Sequence, residues 1–236
     1  MSLLSGEEWA IVALSLKVSL VAILGVLPVA FGLAYILARG RFFGKIWLDA
    51  LVHLPLVLPP VVTGWLLLLL FGANGPVGRV LADLGISLMF RWTGAALASA
   101  IMALPLMVRA MRLSIEAVDQ RLEGAARVLG AGAWRAFATI TLPLAMPGVA
   151  AALVLGFARS IGEFGATITF VSHIPGETGT LPLAIYSALQ VPGGESLVTR
   201  LALVSVVLSL GALVASEALS RRGIGAGRTK SGPHVF

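Results

Sequence analysis

Long apolar runs separated by short polar segments set the rhythm of this chain. Residues 10–38 are interrupted only by Lys17, residues 50–72 carry His53 but no formal charge, and residues 136–158 are free of charge. Two further runs, 93–108 and 201–216, are charge-free but shorter. A helix needs roughly 20 mostly apolar residues to cross about 30 Å of hydrocarbon. The three long runs therefore predict membrane spans directly. The two shorter ones reach the length if flanking Arg side chains extend toward the head groups.

The composition agrees with that pattern. With 58% hydrophobic and 12% charged residues and a mean hydropathy of +0.98, the chain lies outside the range of a soluble domain of its length. It contains no Cys, which removes disulfides and thiolate metal sites, and His53, His173 and His234 are too scattered to suggest a ligand cluster. The amino-terminal segment lacks the charged start and small-residue cleavage site of a secretory signal, so the first run is expected to stay as an anchor.

A net charge of +6 would point a soluble chain toward nucleic acid, but here the cations are sorted between apolar runs. Arg39, Arg41 and Lys45, five Arg between 109 and 135, and Arg221, Arg222, Arg228 and Lys230 make up 12 of the 17. Cation-poor segments at 1–9, 73–92 and 160–196 alternate with them. The positive-inside rule then predicts an outside amino terminus, five spans and a cytoplasmic carboxyl terminus, with nucleic acid excluded as a partner. Residues 160–192 leave a sixth span open. They are expected to extend the fourth span, turn through an outer loop and end in a short re-entrant or interfacial helix.

Pro55, Pro59 and Pro60 crowd the second run, and Pro105 lies in the third. Each removes a backbone donor. A kinked packing helix and a broken helix lining a polar path both fit such a cluster. Between the third and fourth spans, Val118, Leu122, Ala125, Ala126 and Leu129 share one helical face, while Asp119, Arg121, Glu123 and Arg127 occupy the rest. Gly130 and Gly132 can adopt left-handed conformations. The expected shape is a surface helix, a turn and a second helix rising through Pro143. Such a helix commonly rests on lipid head groups.

Ala125, Ala126, Gly130, Ile140, Leu142 and Pro143 match the spacing of the coupling loop in permease subunits of binding-protein-dependent ABC importers, which this chain resembles. In that motif a Glu directly precedes the two Ala; here the position is Gly124 and the carboxylate is Glu123. The resemblance implies a helix that docks in a groove of a separate ATPase subunit. The segments ARSIGEFGATITFVSHIPGE at 158–177 and VPGGES at 191–196 resemble the molybdate branch of the family. Gly162, Glu163, Phe164 and Gly165 alone point only to tetrahedral oxyanions, because sulfate and thiosulfate permeases carry a similar element.

Read physically, Arg159 and Glu163 are four residues apart on one helical face, as a structural ion pair would be. The pathway reading instead uses Ser160, Thr167 and Thr169 as hydroxyl donors, with Gly162 and Gly165 giving close backbone approach. No P-loop is present: GAGRTKS at 225–231 places Thr229 where Gly is required. Nucleophile-elbow and His-Glu-x-x-His motifs are also absent.

The expected architecture is an all-α polytopic membrane bundle of the type I permease fold. Residues 1–9 form an extracytoplasmic start, 10–222 the permease domain with its coupling loop at about 116–143, and 223–236 a disordered basic tail. One chain of this size offers few helices to enclose a pore, and two-fold pairing is the commonest closed symmetry, so a homodimer with the anion path at its interface is expected. The resemblance implies two ATPase subunits binding ATP and Mg, and an extracytoplasmic molybdate-binding protein. It also implies the inner membrane of a prokaryote, and no cofactor or enzymatic activity in this chain. A sulfate or thiosulfate permease, or a porter needing no ATPase, are the alternatives. Single Cys probes at Ser5, Ser87 and Ser172 should label from outside, and probes at Gly44, Gly132 and Ser231 only after permeabilisation. Outside labelling at Gly132 would overturn this topology.

Overall fold

The computed structural model describes residues 4–228, with side chains as far as 214. Among the described residues the chain is helical throughout, without strands. In order come α1 (Gly6–Arg39), α2 (Lys45–Val57), α3 (Pro60–Phe71), α4 (Pro76–Asp83), α5 (Trp92–Glu116) and α6 (Gln120–Val128). Then follow α7 (Ala133–Ala136), a π-helical turn (Phe137–Thr141), α8 (Leu142–Ile161), α9 (Gly165–Val171), α10 (Leu181–Leu189) and α11 (Glu195–Arg228).

Four helical stretches are long and apolar enough to cross a bilayer: α1, α5, the rod Ala133–Ile161, and α11 over Glu195–Val214. The expected second span at 50–72 is not a straight helix. It is the pair α2 and α3, bent by 115°, and the count reaches five if the pair is one span. The break falls at Leu58 and Pro59, which have extended ψ values of 142° and 134°. A residue before proline is driven out of the helical region, and Pro60 restarts α3 at its first turn, where a missing amide does no harm.

The middle of the bundle is α5, whose line of Ala95, Ala98, Ser99, Ala103, Met107 and Met111 is buried. Helices in lipid gain little from hydrophobic burial and associate where small residues let backbones approach. On α8 the small residues Gly148, Ala152 and Gly156 recur every fourth position and are all buried. A Cβ added at Gly148 would stand 2.2 Å from the Ser114 Cβ, and one at Gly156 2.8 Å from the Met107 sulfur. This stripe seats α8 against α5. At the amino end of α1, Ser5 and Glu8 form a capping box. The buried Glu8 also accepts from Arg200 Nε of α11 at 2.7 Å, tying first helix to last.

Residues 160–192 differ from expectation in one respect. The fourth span ends at Ile161, and the expected extension is a separate short helix, α9, after a break; the loop at 172–180 and the short helix α10 follow as expected. α11 runs to Arg228, past the boundary at 222 expected for a disordered tail; residues 229–236 of that tail lie outside the described residues.

A matched pair of substitutions tests the packing stripe. Gly148→Ala should lower the melting temperature by several degrees, in keeping with about 1–3 kcal/mol of overpacking. Gly25→Ala on α1 meets nothing within 4 Å and should leave it unchanged or slightly raised. Equal melting of the two variants would contradict the α5–α8 contact.

Candidate functional site

Two groups of residues carry the chemistry anticipated from sequence, and the fold separates them. The first is the segment around α6. Asp119 caps this helix, its side chain accepting from the Arg121 amide at 2.9 Å. At the other end the Gly130 amide donates to the Arg127 carbonyl at 3.0 Å and the Ala131 amide to the Ala126 carbonyl at 2.9 Å. This is a Schellman ending, which needs a left-handed residue. Gly130 supplies it at φ +90°, whereas Gly132 stays at φ −63° and simply starts α7.

The apolar stripe foreseen for this helix is not laid against the bundle. No residue of α6 is buried; Leu122 is 48% exposed, and Val128 and Leu129 are exposed too. Val118, just before the helix, is buried, and Ala125 is exposed. What holds α6 to the body is polar. Glu123 Oε1 accepts from Arg39 Nη2 at 3.1 Å and from Thr141 Oγ1 at 2.5 Å. Arg39 Nη2 also donates to the Val118 carbonyl at 3.1 Å. One carboxylate therefore links α6 to the end of α1 and to the π turn at the base of α8.

That turn has a local cause. Pro143 has no amide to give, and its ring crowds the Thr139 carbonyl four residues back. The five-residue register, with the Leu142 amide donating to the Phe137 carbonyl, absorbs the mismatch. Ile140 and Leu142 are half-buried there, while Pro143, Gly124 and Gly130 are exposed. Such π turns mark hinges and functional positions in helices.

The second group surrounds the break between α8 and α9. Arg159 Nη1 meets Glu163 Oε2 at 2.6 Å, and Glu163 Oε1 accepts from the Ala166 amide at 2.8 Å, which caps α9. Glu163 is buried, so the expected ion pair is present and also satisfies a helix end. The hydroxyls differ in what they have left to give. Thr167 donates to the Phe164 carbonyl at 2.8 Å and Thr169 to the Gly165 carbonyl at 2.9 Å. Buried Ser160 Oγ has no hydrogen-bond partner.

The glycines also differ. Gly162 is open, but a Cβ on Gly165 would lie 2.6 Å from the Pro60 Cβ, and one on Gly64 2.5 Å from the Ala166 carbonyl oxygen. Gly165 thus accommodates α3, not open space. The break at Leu58–Pro59 and the break at Gly162–Phe164 lie side by side, and Phe164 packs its ring 4.9 Å from that of Tyr186 on α10.

A third cluster escaped sequence reading. Arg112 Nη1 donates to Asp49 Oδ1 at 3.1 Å and Arg112 Nε to Glu116 Oε1 at 2.8 Å, while His53 Nδ1 lies 3.2 Å from Asp49 Oδ1. Asp49 and Arg112 stand 63 positions apart, so no local spacing reveals their pairing. Among the described residues no group of His, Asp and Glu could hold a metal ion.

These features fit comparison with known proteins. Residues 30–224 match the family described as binding-protein-dependent transport system inner membrane component. The chain belongs to this family. It is 56% identical over 220 residues to the molybdenum transport system permease protein ModB of Escherichia coli K12, covering 93% of this chain and 96% of that protein. The Haemophilus influenzae ModB is likewise 56% identical, over 216 residues, covering 91% and 94%. The fold resembles a chain of the bacterial ABC transporter that imports alginate, with a TM-score of 0.69 at 19% identity, covering 96% of this chain and 82% of that one. The chain is thus an all-helical, multi-pass membrane permease of the type I importer fold.

The clasp on α6 can be measured. The Arg39–Glu123 pair is partly buried, so removing one partner costs less than the ~3–5 kcal/mol of a fully buried pair, on the order of 1–3 kcal/mol. Glu123→Ala should therefore free α6, raising its amide hydrogen-exchange rates at least tenfold while exchange in α5 stays unchanged. A double-mutant cycle of Arg39→Gln with Glu123→Gln should show a coupling of about 1–3 kcal/mol. Additive effects would remove the clasp from the account.

Proposed function

We propose that this chain is the membrane permease subunit of an ATP-driven importer for molybdate, with tungstate accepted as its chemical mimic. The observation that carries the reading is α6: a capped helix with no buried residue, presented by a polar clasp, in a chain whose family is that of binding-protein-dependent permeases. An exposed apolar surface beside a membrane marks a docking face. The partner that fits is a cytoplasmic ATPase, two copies of which would serve a homodimer of this chain. Glu123, Gly124, Ala125, Ala126 and Gly130 form the knob; Ile140, Leu142 and Pro143 begin the helix that receives its motion. ATP and Mg would bind the ATPase, while tight recognition of the anion belongs to an extracytoplasmic binding protein. The assembly would sit in the inner membrane of a prokaryote.

Specificity for molybdate rests on the 56% identity to permeases of molybdenum transport. For passage, the side-by-side breaks at 58–60 and 162–164 are the best candidates, since broken helices place backbone groups along polar paths in membranes. Ser160 contributes the free hydroxyl. Thr167 and Thr169 donate to their own helix, so they reach an anion only if that helix rearranges. Arg159, Glu163 and Phe164 hold the wall, Gly165 allows its backbones to close up, and Gly162 leaves open space beside them. Conduction favours such weak solvation over tight binding.

The test is oxyanion flux into proteoliposomes carrying the assembled importer, with ATP hydrolysis followed in parallel. Molybdate should move and sulfate should compete poorly; preferred sulfate flux would reassign the substrate, and uptake by this chain alone, driven by a proton gradient, would overturn the importer. Gly130→Val at φ +90° should strain the turn by about 1–2 kcal/mol and uncouple hydrolysis from flux while the protein still inserts. Ser160→Ala should slow flux, and Thr167→Glu should nearly stop it through like-charge repulsion at low dielectric. Wild-type flux in both would move the path elsewhere.

A further inference from the structure

Between the carboxyl end of α1, the amino end of α2 and α6 lies a cavity of about 510 Å³ with a strongly basic lining. Arg39, Arg41, Lys45 and Arg127 contribute four cations, against the single carboxylate of Glu123. That carboxylate is already engaged by Arg39 and Thr141. Arg39, whose side chain is 12% exposed, keeps its Nε buried without a hydrogen-bond partner. Arg41, Lys45 and Arg127 make no ion pair among the described residues. The amino end of α2, at Lys45, has neither a side-chain cap nor an acidic residue in its first turn, so its dipole adds positive potential. Three cations of the lining, Arg41, Lys45 and Arg127, are left without a counter-charge.

An anion with several acceptor oxygens, such as a phosphate group, suits such a lining. The surroundings identify its source. Phe42, Phe43, Ile46 and Trp47 all project outward beside the cavity, Phe43 fully and Ile46 by 82%. Bulky aromatic and aliphatic side chains alternating with cations are the composition of a segment at the boundary of hydrocarbon and head groups. A free anion makes no use of them, whereas a phospholipid brings a phosphate for the cations and chains for Phe43, Ile46 and Trp47. Basic cavities between membrane helices are suited to such head groups. We propose that this cavity binds the phosphate of an anionic phospholipid, so that a lipid sits beside the clasp that holds α6. The proposal needs only that the chain lies in a membrane, and it stands apart from the identity of the transported anion.

The experiment uses the full chain, purified and stripped of lipid, then titrated with phosphatidylglycerol, phosphatidylcholine of the same acyl chains, or inorganic phosphate. Retention is read by native mass spectrometry and by the shift in melting temperature. Phosphatidylglycerol should be retained at least tenfold more tightly than phosphatidylcholine, and the difference should shrink at high salt. Arg41→Gln, Lys45→Gln and Arg127→Gln should each weaken phosphatidylglycerol by about fivefold and leave phosphatidylcholine unaffected. Arg39 is left intact because it holds Glu123. Equal retention of the two lipids by the unaltered protein would overturn the proposal without reference to any variant. Equal protection by millimolar inorganic phosphate would assign the cavity to a free anion and overturn the lipid. Variants that lose only copurification with an ATPase, with lipid discrimination intact, would make it a protein-docking surface and overturn it as well.

Discussion

Inside a hydrocarbon layer an amide or carbonyl without a partner has no water to turn to, and each costs several kcal/mol. Most of this structure's irregular features are answers to that constraint. Where Pro59 and Pro60 interrupt the second run, the break is covered by α9, and Gly165 and Gly64 have no Cβ to prevent the contact. Where α8 stops at Ile161, the buried Glu163 reaches forward to accept from the Ala166 amide in the first turn of α9 and is paired with Arg159. Where Pro143 withholds an amide near the start of the ascending rod, the chain adopts a π turn. Each of these irregular places is met on one side by another segment, although Pro59, Pro60, Gly162 and Pro143 keep an exposed side, and two of the places adjoin.

The same economy explains how α6 is presented. A helix with exposed Leu122, Val128 and Leu129 would collapse onto the nearest apolar surface if nothing oriented it. Glu123 supplies the orientation by bonding Arg39 and Thr141 from one oxygen, which turns the apolar side outward. Thr141 closes the π turn, so the clasp joins α6 directly to the one stretch of the rod that departs from regular α-helical hydrogen bonding. The contacts run through three named side chains and one irregular turn to α8, whose small-residue stripe packs against α5.

Much of this was legible in the chain. Apolar run length located α1, α5, the 133–161 rod and α11, and Gly130 marked a left-handed helix ending that the structure places at φ +90°. The spacing of Arg159 and Glu163 foretold their pairing. Sequence could not show the 115° bend, because three prolines in six residues fit a kink as well as a break, and only the packing of α9 on α3 decides. Nor could it show that α6 keeps its apolar face outward, since periodicity identifies a face without saying what covers it. Contacts such as Arg39 with Glu123, 84 positions apart, or Glu8 with Arg200, depend on the assembled bundle. The Gly148–Ala152–Gly156 repeat was present in the sequence and would have signalled close helix packing.

If α6 docks on a separate protein, steered by its clasp to the bundle, a photo-crosslinking amino acid at Leu129 in the reconstituted importer will capture that protein, with the product identified by mass spectrometry before and after ATP is added. A crosslink to the ATPase subunit is expected in both states, with the attachment point shifting when nucleotide binds. Crosslinks only to lipid or to this chain itself would contradict that docking.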